Sequence, residues 1–250
     1  MRLSLLFVCL LFSFYANSTS FNVVTGVDRP PYSMQRGKTG FEIDLLSAVL
    51  DNVVEKHEFV IAPYGRSLKI LDVKNIDAMT TASIALYNAS GKVSEPYIKY
   101  QNIAVTLKAD NFKIKTLSEL EHYSIATFLN AKTILGKNFE QVVEKSNHYI
   151  ELSDQSQQLH MLRRGKVKVL VMDINIFNYF NKFHELEVDI HKIFPLTTYG
   201  LLVKDEAIKR SFNLELNQFI KSKDYIELAD KWSIDPGLLI DCFYSLHFVC

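Results

Sequence analysis

Two side chains in this sequence are well placed for binding chemistry. Asp173 follows the largely apolar run of residues 167–172, and Tyr32 follows two consecutive prolines. A carboxylate at the end of a buried strand can accept charge-assisted hydrogen bonds from a bound cation. It can equally cap the helix predicted to begin at Ile174, because aspartate is a favoured N-cap residue. The sequence alone leaves both roles open.

Other common chemical patterns are missing from the sequence. The seven histidines are scattered over different predicted elements and show no metal-ligand spacing. There is no Gly-x-Ser-x-Gly nucleophile turn and no glycine-rich phosphate loop. The 28 basic and 28 acidic residues balance, without the clustered basic surface that nucleic-acid binding needs. We therefore expect no metal, no cofactor, no nucleic-acid partner and no enzyme activity.

Strands and helices alternate along the elements that must position these residues. Short β-branched or apolar runs predict strands at residues 21–27, 57–62, 76–81, 103–107, 123–127, 149–152, 167–172 and 199–203. Apolar residues at helical spacing, with turn residues between them, predict helices at 41–56, 66–73, 117–120, 134–145, 154–164, 174–183, 206–223 and 225–232. This alternation predicts an α/β fold with largely parallel sheets.

Both ends of the chain differ from this alternating region. Residues 1–20 have the layout of a secretory signal peptide: a basic start, an apolar run, then small residues. The run is shorter than the roughly 20 residues of a comfortable membrane span, and a retained N-terminal anchor is the alternative. At the other end, the apolar tail of residues 235–250 carries Cys242 and Cys250. In an oxidising compartment these two thiols either pair or remain free.

Five short patterns, taken together, resemble family 3 of the bacterial periplasmic solute-binding proteins, the amino-acid-binding class. They are PPYS at 30–33 with GFEIDLL at 40–46, PYGRSL at 63–68 with NIDA at 75–78, SEPY at 94–97, LRRGKV at 162–167 with VMD at 171–173, and YGLLV at 199–203 with KW at 231–232. Each pattern is weak by itself. Five in the family's order, over residues 21–234, make the resemblance specific.

The resemblance implies an α/β, two-lobe periplasmic-binding-protein fold of type II. Lobe 1 would hold residues 21–106 and 198–234, and lobe 2 residues 107–197, with hinge crossovers near 105–110 and 195–198. A small polar solute would bind in the cleft between the lobes. The protein would then be a periplasmic monomer that hands this solute to an ABC-type membrane transporter or to a sensor.

The resemblance also assigns roles to five residues. Tyr32 would pack on the ligand, Asp173 would accept hydrogen bonds from its ammonium group, and Arg66 is a candidate clamp for a carboxylate. Tyr87 stands where amino-acid binders carry the arginine that grips the α-carboxylate, and Asn130 lies where many relatives have a carboxylate-binding Ser-Gly-Thr loop. A tyrosine cannot make the forked, charged contact of an arginine. We therefore expect a ligand that depends less on an α-carboxylate than amino acids do.

Two other functions stay open at this point. The first is an enzyme on the same scaffold, similar to a dehydratase, in which Asp173 or Glu95 acts as acid or base. The second is a degenerate relative that has lost its ligand. Fold alone does not decide between these functions.

Overall fold

The structure is a computed structural model, and it describes residues 20–62, 72, 74–87 and 92–235. Residues 1–19 of the predicted signal peptide, Arg66, Cys242 and Cys250 lie outside the described residues. Within the described part, no helix is both long enough and apolar enough to cross a bilayer.

The described chain alternates strands with helices, as predicted. The strands are β1 (Phe21–Thr25), β2 (His57–Ile61), β3 (Ala78–Ser83), β4 (Ile98–Leu107), β5 (Ser124–Phe128), β6 (His148–Leu152), β7 (Val169–Asp173), β8 (Val188–His191) and β9 (Leu196–Val203). The helices are α1 (Phe41–Leu50), α2 (Ile84–Tyr87), α3 (Ala131–Leu135), α4 (Lys137–Val143), α5 (Ser156–Arg163), α6 (Ile174–His184), α7 (Glu206–Phe219) and α8 (Lys223–Trp232). Short 3-10 turns occur at Lys108–Asp110 and Ser118–His122.

Strand β4 belongs to two groups of strands. The strand order is β2-β1-β3-β9-β4-β7-β5-β6, and β8 also pairs with β4. Residues 98–101 of β4 pair with β9, whereas residues 102–107 pair with β7 and β8. We call the group of β1, β2, β3 and β9 lobe 1, and the group of β5, β6, β7 and β8 lobe 2. The chain crosses between them once within β4 and once between β8 and β9, so the predicted two-lobe α/β fold is confirmed; the exact lobe boundaries stay a prediction.

Strand β7 shows why its sequence is so apolar. Leu170 and Met172 face one core cluster and Val169 and Val171 face another, because successive side chains point to opposite sides of a sheet. Both faces of the strand are therefore covered, as expected for strands that lie between helical layers. The first cluster continues into lobe 1 and includes Tyr32, so the two lobes share one apolar core.

Several local predictions differ from the structure. The helix predicted at 134–145 is divided into α3 and α4, because Gly136 between them has a φ of 86°, which no helix residue adopts. Strand β4 begins at Ile98 rather than at residue 103, because residues 98–101 pair with β9. Strand β8 was not predicted, and it is held by its pairing with β4.

Candidate functional site

Asp173 lies where β7 ends and α6 begins, and it is 2% exposed. Its Oδ1 accepts hydrogen bonds from the backbone N–H groups of Asn175 (2.9 Å) and Ile176 (3.2 Å), so Asp173 is the N-cap of α6. Its Oδ2 accepts a third backbone hydrogen bond, from Gln101 in β4, at 3.0 Å. The carboxylate therefore ties the start of α6 to the strand that connects the lobes.

Tyr32 reaches the same carboxylate from lobe 1. Its hydroxyl donates to Asp173 Oδ1 at 2.9 Å and accepts from Asn175 Nδ2 at 2.9 Å. The ring stacks on Tyr100, with centroids 4.5 Å apart and planes at 15°, and it is fully buried. The structure thus brings Tyr32 and Asp173 into direct contact at the junction of the lobes.

Burial controls the protonation of this pair. Removal from water raises the pKa of Asp173 to about 6, although the hydrogen bonds from Tyr32 and the three backbone donors oppose the shift. Burial, together with the charges of Asp173 and Glu42, raises the pKa of the Tyr32 phenol well above its ordinary value. The phenol therefore remains a donor, and the carboxylate is its acceptor above about pH 6.

A buried polar network beneath the β1–α1 loop supports Tyr32. Glu42 is fully buried and forms an ion pair with Arg29 at 3.1 Å. The other carboxylate oxygen of Glu42 accepts hydrogen bonds from the hydroxyl groups of Thr81 and Tyr97. Arg29 also donates to the Tyr100 hydroxyl at 3.1 Å, below the stacked pair of tyrosines. The network joins the loop to β3 and β4 and so orients the loop that carries Tyr32.

Gly40 brings the start of α1 close to this loop. The N–H groups of Phe41 and Glu42 donate to the carbonyl oxygens of Pro31 and Tyr32, at 2.9 and 3.0 Å. Gly40 has a φ of 126°, and a Cβ at this position would overlap the Tyr32 carbonyl oxygen. Only glycine combines this φ with so close an approach, so the GFEIDLL pattern has a direct role in positioning Tyr32.

Asn130 lies on the same edge of lobe 2 as Asp173. Strands β5, β6 and β7 run parallel, so their carboxyl ends, with Asn130, Glu151 and Asp173, share one edge. The Asn130 N–H donates to Glu151 Oε2 at 2.7 Å, and the Lys132 N–H donates to Oε1 at 3.2 Å. The Tyr149 hydroxyl donates to the same carboxylate at 2.7 Å. Two backbone amides of this loop, those of Asn130 and Lys132, are thus occupied by the protein's own carboxylate.

Tyr87 lies at the end of α2 and packs on a small core cluster of lobe 1 with Ile76 and Ile84. Partial burial raises the pKa of its hydroxyl. The described contacts do not join Tyr87 to Tyr32 or Asp173. Arg66, the candidate carboxylate clamp, is outside the described residues.

Four residues of this region were not identified from the sequence: Tyr100, Gln101, Glu151 and Asn175. Glu151 offered one signal, since it is an acidic residue near the end of a predicted strand. The others offered none, because their contacts join segments that are far apart in sequence. Among the described residues, no group of three or more histidine, cysteine, aspartate or glutamate side chains is arranged to hold a metal ion.

The fold is that of known binding proteins. Similar solved structures include an ancestral amino-acid-binding protein, AncCDT-1, described as a precursor of cyclohexadienyl dehydratase (22% identity, 86% of this chain and 95% of that chain, TM-score 0.69). Another is an ancestral arginine-binding protein bound to arginine (22% identity, 86% of this chain and 98% of that chain, TM-score 0.70). A third is the GluR0 ligand-binding core with L-glutamate (15% identity, 86% of this chain and 99% of that chain, TM-score 0.70). At these identities the likeness establishes the fold and not the ligand.

No curated protein sequence matches the chain significantly. The sequence profile described as bacterial extracellular solute-binding proteins, family 3, matches residues 21–235, which is most of the 250-residue chain. This span includes both lobes, the Tyr32 loop and the strand that ends at Asp173. The chain therefore belongs to family 3 of the bacterial extracellular solute-binding proteins.

Proposed function

We propose that this protein is a periplasmic receptor that captures one small polar solute between its lobes, for a membrane transporter of the ABC type or a sensor. The observation that carries the proposal is the buried Asp173 carboxylate, which lobe 2 presents and Tyr32 of lobe 1 reaches at 2.9 Å. A group that both lobes contact is where a ligand gains most from closure. The family and the signal-like N-terminus support the periplasmic location.

The proposed solute carries a hydrogen-bond donor, best a cationic amine. Asp173 accepts from three backbone N–H groups, which belong to α6 and β4 and are fixed by the fold. The Tyr32 hydroxyl is the partner that movement of lobe 1 can withdraw. A solute at Asp173 must therefore replace this hydroxyl, and an ammonium group does so with a charge-assisted hydrogen bond.

A carboxylate on the solute is less important in this proposal. Glu151 occupies the amides of Asn130 and Lys132, and its negative charge would repel a second carboxylate there. Tyr87 stands where the resemblance expects the carboxylate-binding arginine. We therefore propose an amine, or another small cation, in preference to a plain α-amino acid.

A second candidate function is proton transfer on the same scaffold. Asp173 has its pKa raised to about 6, which is close to the working pH of a general acid or base. Glu95, the other candidate, accepts from Asn217 Nδ2 in α7 at 2.7 Å and is thereby held to lobe 1. Incubating the protein with each bound solute and following it by NMR separates the two functions, since a receptor returns its ligand unchanged.

A thermal-shift screen of amines, amino acids, aromatic acids and short peptides, followed by calorimetry, tests the proposal. For an amine that binds, Asp173→Asn should weaken binding by roughly 2–5 kcal/mol, as for a truncated buried charge pair. Asparagine caps helices about as well as aspartate, so α6 should remain intact. Asp205→Asn is the matched control, because Asp205 caps α7 by the same two-amide contact far from the junction. Equal affinities in the two variants would show that Asp173 is only a helix cap.

A further inference from the structure

A groove between the lobes lies beside the Tyr32–Asp173 contact. It is open to solvent on one side and has a volume of about 490 Å³, within the range of small-molecule sites. We call it the α6 groove; its walls include Pro31 and Trp232 from lobe 1 and Asn175, Asn178, Tyr179 and Lys182 from α6. Neither the resemblance nor the proposed function gives any of these six residues a role in binding the solute.

The α6 wall is one polar face of the helix. Positions 175, 178, 179 and 182 follow the i, i+3, i+4, i+7 spacing that places side chains on one side. Among the described residues, the Asn178 amide and the Lys182 ammonium have no hydrogen-bond or ion-pair partner. Asn175 Nδ2 is bound to the Tyr32 hydroxyl, so the groove adjoins the contact between the lobes. The wall thus presents an amide and a cation that are available to a ligand.

The charge of the groove favours an anion. Lys182 is the charged side chain among the described lining residues. Asp44, next to the opposite wall, accepts from Lys231 Nζ at 2.7 Å and from Trp232 Nε1 at 3.0 Å. Lys231 also lies 5.2 Å from the centre of the Trp232 ring. The Asp44 carboxylate is therefore balanced by its own partners, and the Asp173 carboxylate is already bound by Tyr32 and three backbone N–H groups, so the Lys182 charge is left to attract a ligand.

Flat apolar surfaces complete the site. The rings of Trp232, Tyr179 and Pro31 line the cavity together with the polar groups. Aromatic rings contribute large contact area for a flat ligand body, and a few placed polar groups set its orientation. We propose that the α6 groove binds a small organic anion, a carboxylate carried on a ring or a short apolar body. Since its walls come from both lobes, the bound anion holds the lobes closed.

Trp232 is the one tryptophan of the chain, so its fluorescence reports on this groove directly. The full chain is titrated with phenylacetate, with phenylacetamide and glucose as neutral comparison compounds. We expect a saturable change with phenylacetate, and binding at least about tenfold weaker for phenylacetamide and glucose, because each lacks the anion that Lys182 attracts. Lys182→Gln should weaken phenylacetate binding by about five- to tenfold. Lys221→Gln, at an exposed lysine after α7, is the matched control and should bind as the wild type does.

Several results would overturn the proposal. They are no saturable change with phenylacetate up to about 20 mM, phenylacetamide binding as tightly as phenylacetate, or equal affinity in Lys182→Gln and Lys221→Gln. Circular dichroism of each variant establishes that it is folded. This test does not depend on a solute at Asp173, because the fluorescent residue Trp232 and the substituted residue Lys182 both line the α6 groove.

Discussion

Replacing Tyr32 with phenylalanine removes one hydroxyl from the junction of the lobes and leaves the ring in place. The hydroxyl donates to Asp173 at 2.9 Å and accepts from Asn175 at 2.9 Å. The ring retains its stacking on Tyr100, whose centroid lies 4.5 Å away. The substitution therefore isolates two hydrogen bonds that join the lobes.

The expected magnitude follows from the burial of the pair. A hydrogen bond to a charged group contributes about 1.5–3 kcal/mol, and a neutral one about 0.5–1.5 kcal/mol. Asp173 retains its three backbone donors, so the carboxylate is not left without partners. We expect Tyr32→Phe to lower the free energy of unfolding by about 2–3 kcal/mol. For a protein of this size, each kcal/mol corresponds to about 2–4 °C in Tm.

Urea denaturation followed by circular dichroism at pH 8, where Asp173 is ionised, measures the change. Tyr123→Phe is the control, because the Tyr123 ring also packs on an aromatic side chain, Phe112 at 4.8 Å. Its hydroxyl has no hydrogen-bond partner among the described residues, so its removal should change stability by less than about 0.5 kcal/mol. If Tyr32→Phe costs no more than Tyr123→Phe, the contact does not stabilise the closed arrangement and the reasoning fails.

Three further predictions concern the same region. Because burial raises the pKa of Asp173 to about 6, this carboxyl stabilises the fold below about pH 4, and the contribution is lost as the pH rises through 6. We measure the free energy of unfolding of the wild type and of Asp173→Asn by urea titration at each pH. The wild-type value minus the variant value should fall by up to about 3 kcal/mol between pH 4 and pH 7. Gly40→Ala should destabilise by at least about 2 kcal/mol more than Gly165→Ala in thermal unfolding, since the added methyl overlaps a backbone carbonyl only at Gly40; equal effects would contradict this. Glu42→Gln keeps the side-chain shape but removes the buried ion pair with Arg29, and should cost about 3–5 kcal/mol by urea denaturation; a loss below about 1 kcal/mol would show that the pair is not important for stability.

Local sequence patterns predicted which strands and helices form more accurately than they predicted where each one begins and ends. Strand β7 and helix α6 follow from a largely apolar run, an aspartate that caps, and helical spacing. The first four residues of β4 alternate apolar with polar side chains, a run too short to predict a strand, and their pairing with β9 is what extends the strand over them. Gly136 was visible in the sequence, but whether a glycine interrupts a helix depends on the φ that the surrounding structure requires.

The contacts within the candidate site were even less predictable from local sequence patterns than the ends of the strands and helices. Tyr32 and Asp173 were identified separately by their positions after a proline pair and after a buried strand. Their direct hydrogen bond spans 141 residues, and no local pattern encodes a contact of that range. Glu151 offered only its acidic type near a strand end, because two of its three partners are backbone amides of a neighbouring strand connection, which every sequence possesses. The sequence thus identifies side chains of a suitable type, whereas the fold determines which of them form hydrogen bonds with one another.

The position of β9 has a consequence for how the chain folds. This strand is the last in the described sequence, yet it lies between β3 and β4, in the middle of the strand order. Lobe 2 can assemble from residues that are close together along the chain, whereas lobe 1 must wait for β9 to return and pair with β3. Until then β3 and β4 each present an unpaired edge, the kind of surface on which aggregation starts. We expect refolding to proceed from lobe 2 to lobe 1, with the amides of β3 and β9 protected from hydrogen exchange later than those of β5 and β7.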